Sequence, residues 1–256
     1  MNAIIAKFQE LKARNESALI TYITAGYPTL EASMEYINVF SLNNTDIIEI
    51  GIPFSDPIAD GKTIQFASYV ALKNRVNITN ILSEICRLRI KKPLIIMSYL
   101  NPILAFGMPR FFERACEAGV SGVIIPDLIV EELNILKPWA KQNSVDIIQL
   151  IAPTSSDERI KMIGEKSDSF VYCVSVTGTT GIKRSLPVEL PGFIKKVKKI
   201  VAKPTVVGFG ISRASQIRQL SQIADGVVVG SRLIEAIRKR ENLAQLIREF
   251  KNATKR

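Results

Sequence analysis

Three carboxylates stand close together in the segment IIEIGIPFSDPIADG, residues 47 to 61: Glu49, Asp56 and Asp60. Glu49 sits inside an apolar run that reads as a buried strand. A carboxylate there costs free energy unless it is paired, hydrogen-bonded or kept protonated. Burial raises a carboxyl pKa towards neutrality, where the group can both donate and accept a proton. Asp60 follows in a loop shaped by prolines and a glycine, and an ionised carboxylate there could hold a substrate N–H. The competing role for Glu49 is a buried structural salt bridge. Asp56 either caps a turn or projects towards a partner. The chain has no histidine, which excludes Ser-His-Asp and Cys-His catalysis and removes the commonest zinc ligand. Carboxylates, tyrosine, lysine or water must therefore move any protons.

Two further places carry candidate chemistry. VVGFGIS (206–212) and VVVGSR (227–232) bring Gly208, Gly210 and Gly230 to the ends of two apolar runs, with Ser231 beside the last. Exposed backbone N–H groups without a Cβ in the way, joined by a hydroxyl, suit a phosphate. SVTGTTGIKRSLP (175–187) is a long loop that can close over a ligand and exclude water, with Thr180 and Gly181 as contacts. Lys183 and Arg184 read as solvated flank charges. Tyr172, just before that loop, either directs its hydroxyl into the site or packs in the core.

The elements that must position these residues alternate. Eight Ile- and Val-rich runs, at 18–24, 46–50, 93–99, 122–126, 146–152, 170–175, 205–210 and 226–230, read as strands. Helical patterns lie near 30–42, 78–90, 108–118, 130–142, 157–166, 189–201, 213–223 and 242–252, with Pro138 expected to kink or offset the fourth. Apolar runs without strict alternation suit parallel strands covered on both faces. The expected fold is α/β, a single (β/α)8 TIM barrel over residues 1–256 with an extra N-terminal helix. A doubly wound open sheet is the alternative, and the glycine fingerprint of a dinucleotide fold is absent after the first strand. In a barrel, chemistry gathers at the C-terminal ends of the strands, where Glu49, Asp60 and the glycines fall.

The 256 residues are 47% hydrophobic, enough for one large core. Cys86, Cys116 and Cys173 lie far apart and suggest neither a disulfide framework nor a zinc site. The N-terminus lacks the apolar core of a signal peptide, and no stretch has the length of a membrane span. The expectation is a protein of the cytoplasm, or of the stroma if plastid-encoded. The net charge of +10 peaks in IKKVKKIVAK (194–203). There Ile194, Val197, Ile200 and Val201 recur at helical spacing, so the lysines read as a solvated helix face and not a nucleic-acid site.

The chain resembles the tryptophan synthase α subunits. IEIGIPFSDPIADG is similar to that family's most distinctive segment, and TYITAGYP, MSYLNPIL, GVIIPDL, VSVTGTTG, GFGIS and VVVGSR match others in order. The resemblance implies a lyase of tryptophan biosynthesis that splits indole-3-glycerol phosphate into indole and glyceraldehyde 3-phosphate. It gives Glu49 the role of general acid/base, Asp60 that of stabilising charge on the indole nitrogen, and Tyr172 a place beside Glu49. Tyr22 and Leu100 fall at indole-pocket positions, Gly181, Gly210, Gly230 and Ser231 at phosphate positions, and Thr180 at a loop position that helps to set Asp60. It implies no cofactor in this chain, a β-subunit partner carrying pyridoxal phosphate in an α2β2 complex, and an interface including Asp56, Pro57 and residues 97–104. Lys62, Val176, Ile129 and Arg232 depart from the family pattern. Other readings are a different phosphate-binding barrel enzyme, a free-standing lyase and a non-catalytic activator of a β subunit.

Overall fold

The computed structural model describes residues 2–174, 186–208 and 210–256. Its centre is a closed ring of eight parallel strands in chain order. The strands are β1 (Ala18–Thr24), β2 (Ile47–Gly51), β3 (Leu94–Met97), β4 (Val120–Ile124), β5 (Asp146–Ile151), β6 (Val171–Val174), β7 (Thr205–Gly208) and β8 (Gly226–Val229). β-Branched residues dominate them because both faces are covered, one by the barrel interior and one by helices.

Partnered residues of parallel strands share a face. Tyr22 pairs with Glu49, Glu49 with Ile95, and Ile95 with Gly122. On the other side Leu150 pairs with Tyr172 and Tyr172 with Val206. Tyr22, Glu49 and Tyr172 are thereby set on the inner face of the ring.

Helices wrap the ring: α1 (Ala3–Ala13), α2 (Leu30–Leu42), α3 (Lys62–Lys73), α4 (Ile78–Leu88), α5 (Leu100–Phe106), α6 (Met108–Glu117), α7 (Lys137–Gln142), α8 (Asp157–Lys166), α9 (Leu190–Ile200), α10 (Ala214–Ser221), α11 (Ser231–Arg238) and α12 (Leu243–Asn252). Three of these, α3, α5 and α11, go beyond the eight helical patterns anticipated in the sequence, and they open the connections after β2, β3 and β8. α3 buries Ile64, Ala67 and Ala71 at helical spacing, so the long connection after β2 is only partly loop. The pattern near 130–142 shortens to α7, preceded by a 3₁₀ turn at Leu133–Ile135. Pro138 falls in the first turn of α7, where its missing N–H leaves no helical bond unmade. In α9 the buried face is Leu190, Phe193, Ile194 and Val197. The lysines lie opposite, with Lys196 paired to Asp157 and Lys198 to Asp225.

α1 closes the N-terminal mouth of the barrel. Asn2 caps it, accepting from the Ile4 N–H while its side-chain amide donates to the Ser121 carbonyl at 2.9 Å. Ile4 packs against Gly122, where an added Cβ would meet its Cδ1 at 2.8 Å. Phe8 lies beside Gly226 and its ring sits 5.6 Å from that of Phe170. Phe8 is thus part of the floor. Phe8→Ala is expected to lower unfolding free energy by about 3 kcal/mol, read from urea or thermal unfolding. An unchanged midpoint would show that α1 is not part of the barrel's core.

Candidate active site

β2 carries Glu49 to the inner face near its C-terminal end, where the residue is 1% exposed. Asp60 is 4% exposed and reaches the same space from the loop that precedes α3. A short turn delivers it: the Ile58 N–H donates to Asp56 and the Asp60 N–H to Pro57. The turn leaves Asp56 exposed on the outside and points Asp60 inward. The Gln65 side chain donates to the Asp60 carbonyl at 2.8 Å and anchors that end of the turn to α3. No cation pairs with Glu49 among the described residues, which argues against the structural salt bridge. Glu49 Oε2 and Asp60 Oδ1 have no hydrogen-bond partner among those residues either.

The electrostatics follow from burial. Loss of water pushes the Glu49 carboxyl up to about 8, and the neighbouring charge of Asp60 adds to the effect. Burial also pushes Asp60 up, to about 6, opposed by a hydrogen bond from Tyr99. The pair is therefore split: near neutral pH Glu49 holds a proton and Asp60 has lost one. Two carboxyl groups in unlike surroundings take up the roles of acid and anion.

Three tyrosines surround the pair. Tyr22 and Tyr172 are both buried, and burial raises their phenols well above the ordinary value. They act as neutral hydroxyls. Each occupies room left by a glycine: a Cβ on Gly51 would lie 2.2 Å from the Tyr22 hydroxyl, and one on Gly208 would lie 2.0 Å from that of Tyr172. The Tyr22 hydroxyl is 3.2 Å from that of Thr24. The third, Tyr99, was not singled out in the sequence. Its hydroxyl donates to Asp60 Oδ2 at 3.1 Å and accepts from the Ala59 N–H at 3.0 Å. Leu100, the neighbour taken from the resemblance, begins α5 and is partly exposed, with its N–H donated to Asp127. The signal that distinguishes them is parity: Ile95 partners Glu49, so the inner-face set continues to Met97 and Tyr99. Met97, Ile64 and Val228 supply apolar walls to the cleft that holds Glu49, Asp60, Tyr22 and Tyr172.

Gly210, Gly230 and Ser231 line the other end of this cleft. Gly210 has φ +81°, a conformation open to glycine. Gly230 precedes α11 and passes close to Tyr22, where a Cβ would stand 3.1 Å from its ring. No side chain caps α11, so its first N–H groups face the cleft end free of a competing acceptor in their own helix. Before α10, Gln216 accepts from the N–H groups of Ser212 and Arg213 and folds that turn back onto the helix. A helix N-terminus without a side-chain cap is suited to an anion. Arg232 pairs with Glu241 at 2.5 Å, which commits its charge away from that end. Lys62 is the first residue of α3 and Ile129 is an exposed side chain after β4. Thr180, Gly181 and Val176 lie outside the described residues.

Two buried carboxyl groups, aromatic and apolar walls and two glycines before a helix N-terminus thus line one cleft. Comparison with known proteins agrees. The family model described as tryptophan synthase alpha chain matches residues 8–256. Proteins called tryptophan synthase alpha chain from Dehalococcoides mccartyi and Aquifex aeolicus are 42% and 43% identical, over 99% and 98% of both chains respectively. A solved structure from Aquifex aeolicus superposes with a TM-score of 0.92 at 40% identity, covering 100% of both chains. A structure of Mycobacterium tuberculosis tryptophan synthase gives 0.93 at 33% identity, covering 99% of this chain and 98% of that one. With its site, its fold and its full-length relatives in accord, this chain belongs to the tryptophan synthase alpha chain family.

Proposed function

We propose that this single-domain chain is a lyase of tryptophan biosynthesis that cleaves indole-3-glycerol phosphate to indole and glyceraldehyde 3-phosphate. The observation that carries the reading is the split carboxylate pair at the barrel mouth, Glu49 protonated beside ionised Asp60. The phosphate sits against Gly210, Gly230, Ser231 and the N-terminus of α11, with Gly181 added from the sixth loop. The indole lies between Tyr22, Met97 and the apolar walls. Glu49 gives its proton to ring carbon C3, and Asp60 accepts the hydrogen bond of the ring N–H as positive charge develops there. The carbon–carbon bond then breaks: its electrons return to the ring, and the glycerol hydroxyl loses its proton to the Glu49 carboxylate as the aldehyde forms. Atoms and charge balance, and Glu49 ends protonated again. Tyr172 stands beside Glu49, and Thr180 helps to set Asp60.

The chain works in the cytoplasm, without a cofactor of its own, as the α subunit of an α2β2 complex whose β subunit carries pyridoxal phosphate. Support comes from the surface beside the site. Ile58, Leu104 and Ile129 are 75%, 44% and 50% exposed, and they lie on the connections after β2, β3 and β4, three neighbours in the ring. Asp56 and Pro57 belong to the same rim. Exposed apolar side chains on three successive connections suit a surface that a partner covers. No helix among the described residues is long and apolar enough to cross a membrane.

The reading is tested by indole release from indole-3-glycerol phosphate, with and without a matching β subunit. Slow release alone and a large increase with the partner are expected. Fast release alone would mark a free-standing lyase, and no lyase activity in either condition would mark an activator or a different substrate.

Glu49→Gln should abolish cleavage and leave binding of indolepropanol phosphate nearly intact, because it removes a proton donor and not a binding group. The same change should stabilise the fold. The folded protein holds a proton on Glu49 that the unfolded chain releases, so wild-type stability falls as pH rises from the ordinary carboxyl value towards 8. The melting temperature of the variant should exceed that of the wild type by a margin that widens across this range, and parallel curves would contradict the assigned protonation.

The pH profile of kcat/KM should rise through about 6 as Asp60 ionises and fall through about 8 as Glu49 loses its proton. The two limbs belong to the coupled pair. A flat profile between about pH 5 and 9 would remove the acid and anion assignments.

Leu104→Asp should weaken β-subunit association by about 2 kcal/mol in titration calorimetry while leaving cleavage by the isolated chain unchanged. Unaltered association would place the interface elsewhere.

A further inference from the structure

The connection after β4 reaches the reacting groups through a bond that the cleft itself does not contain. Asp127 is half-buried in that connection. Its carboxylate accepts the Leu100 N–H with both oxygens, Oδ1 at 2.9 Å and Oδ2 at 3.2 Å. Leu100 is the first residue of α5, and the position before it, Tyr99, has no side-chain cap to offer. Asp127 therefore does from a neighbouring connection what a cap residue does from within a helix. Tyr99 is the next residue back along the chain, and its hydroxyl bridges Asp60 and the Ala59 N–H. The Phe54 ring lies 5.2 Å from the Tyr99 ring and completes its seat. One continuous run of contacts thus joins the connections after β4, β3 and β2 and ends on Asp60.

We propose that Asp127 is a positioning residue for the cleavage reaction: by anchoring the start of α5 it holds the Tyr99 hydroxyl against Asp60 and so keeps that carboxylate aimed at the substrate. The inference rests on the reading of Asp60 given above. The groups that face Asp60 are Tyr22 from β1, Glu49 from β2, Tyr99 from the end of β3 and Tyr172 from β6. Of these, Tyr99 donates a hydrogen bond to its carboxylate at 3.1 Å. Its loss removes the interaction that opposes burial, and the acid limb of the pH profile must move upward.

Two substitutions delete the same hydrogen bond from opposite sides. Asp127→Ala removes the acceptor. Leu100→Pro removes the donor at the first helical position, where proline is tolerated, and the extended backbone of Tyr99 (φ −81°, ψ 161°) is the conformation a following proline requires. The experiment measures kcat, KM and the pH profile of indole release for these variants, Asp127→Asn, Tyr99→Phe and the Asp127→Ala/Tyr99→Phe pair. Both deletions should lower kcat about 10- to 100-fold with little change in KM, and both should move the acid limb upward. Asp127→Asn keeps an acceptor oxygen and should restore most of kcat. The double variant should be no slower than the slower single variant, because both changes break one chain of contacts. A merely structural role would lower the melting temperature and leave the pH profile in place, and that result, or effects that multiply in the double variant, would overturn the proposal. If Asp127→Ala does not fold, Leu100→Pro gives the decisive profile. A wild type that releases no indole overturns the proposed reaction itself, whereas an active wild type with an unmoved profile in Leu100→Pro overturns only the role of Asp127.

Discussion

Placing a carboxyl group inside a closed ring of strands removes it from water, and the solvation it loses must be met in some other way. A counter-charge would meet it but would leave a permanent anion with no proton to give. Here Glu49 instead keeps its proton, beside a second carboxylate that does not. Much of the barrel mouth follows from that choice. The walls are apolar so that the neutral form persists, and the tyrosines nearby stay neutral too. Asp60 comes from a loop and not from a strand, so it can be held in place by a hydroxyl.

The two ends of the barrel divide the work. At the N-terminal mouth α1 fills the space with Ile4 and Phe8. At the C-terminal mouth the connections after β2, β3 and β4 are linked to one another by side chains, from Asp127 to Leu100 and from Tyr99 to Asp60. The rim that carries Ile58, Leu104 and Ile129 is built from these same connections. A protein seated on that rim would therefore press on the supports of Asp60.

Much of this was legible in the chain. Ile- and Val-rich runs marked all eight strands because both of their faces are covered. Glu49 stood out because a charged residue in such a run needs a reason. The extra helices were harder to see. α3 has an apolar face of few residues, and α5 carries Pro102 within its first turns. Tyr99 was passed over for Leu100, although counting by twos from Ile95 reaches it. Asp127 could not be found by counting, because its partner is a backbone N–H on another connection.

The glycines on the inner face have a consequence for how such a barrel can change over time. Gly51 and Gly208 are the vacated halves of pairs whose other halves are Tyr22 and Tyr172, and Gly122 stands in the same relation to Ile4. Volume inside the ring is traded between a strand and a side chain arriving from elsewhere. A methyl gained on one side has to be matched by bulk given up on the other. Substitutions at these sites should therefore travel as linked exchanges through a lineage, and at Gly51 and Gly208 the single intermediate would lose the reaction before it lost the fold.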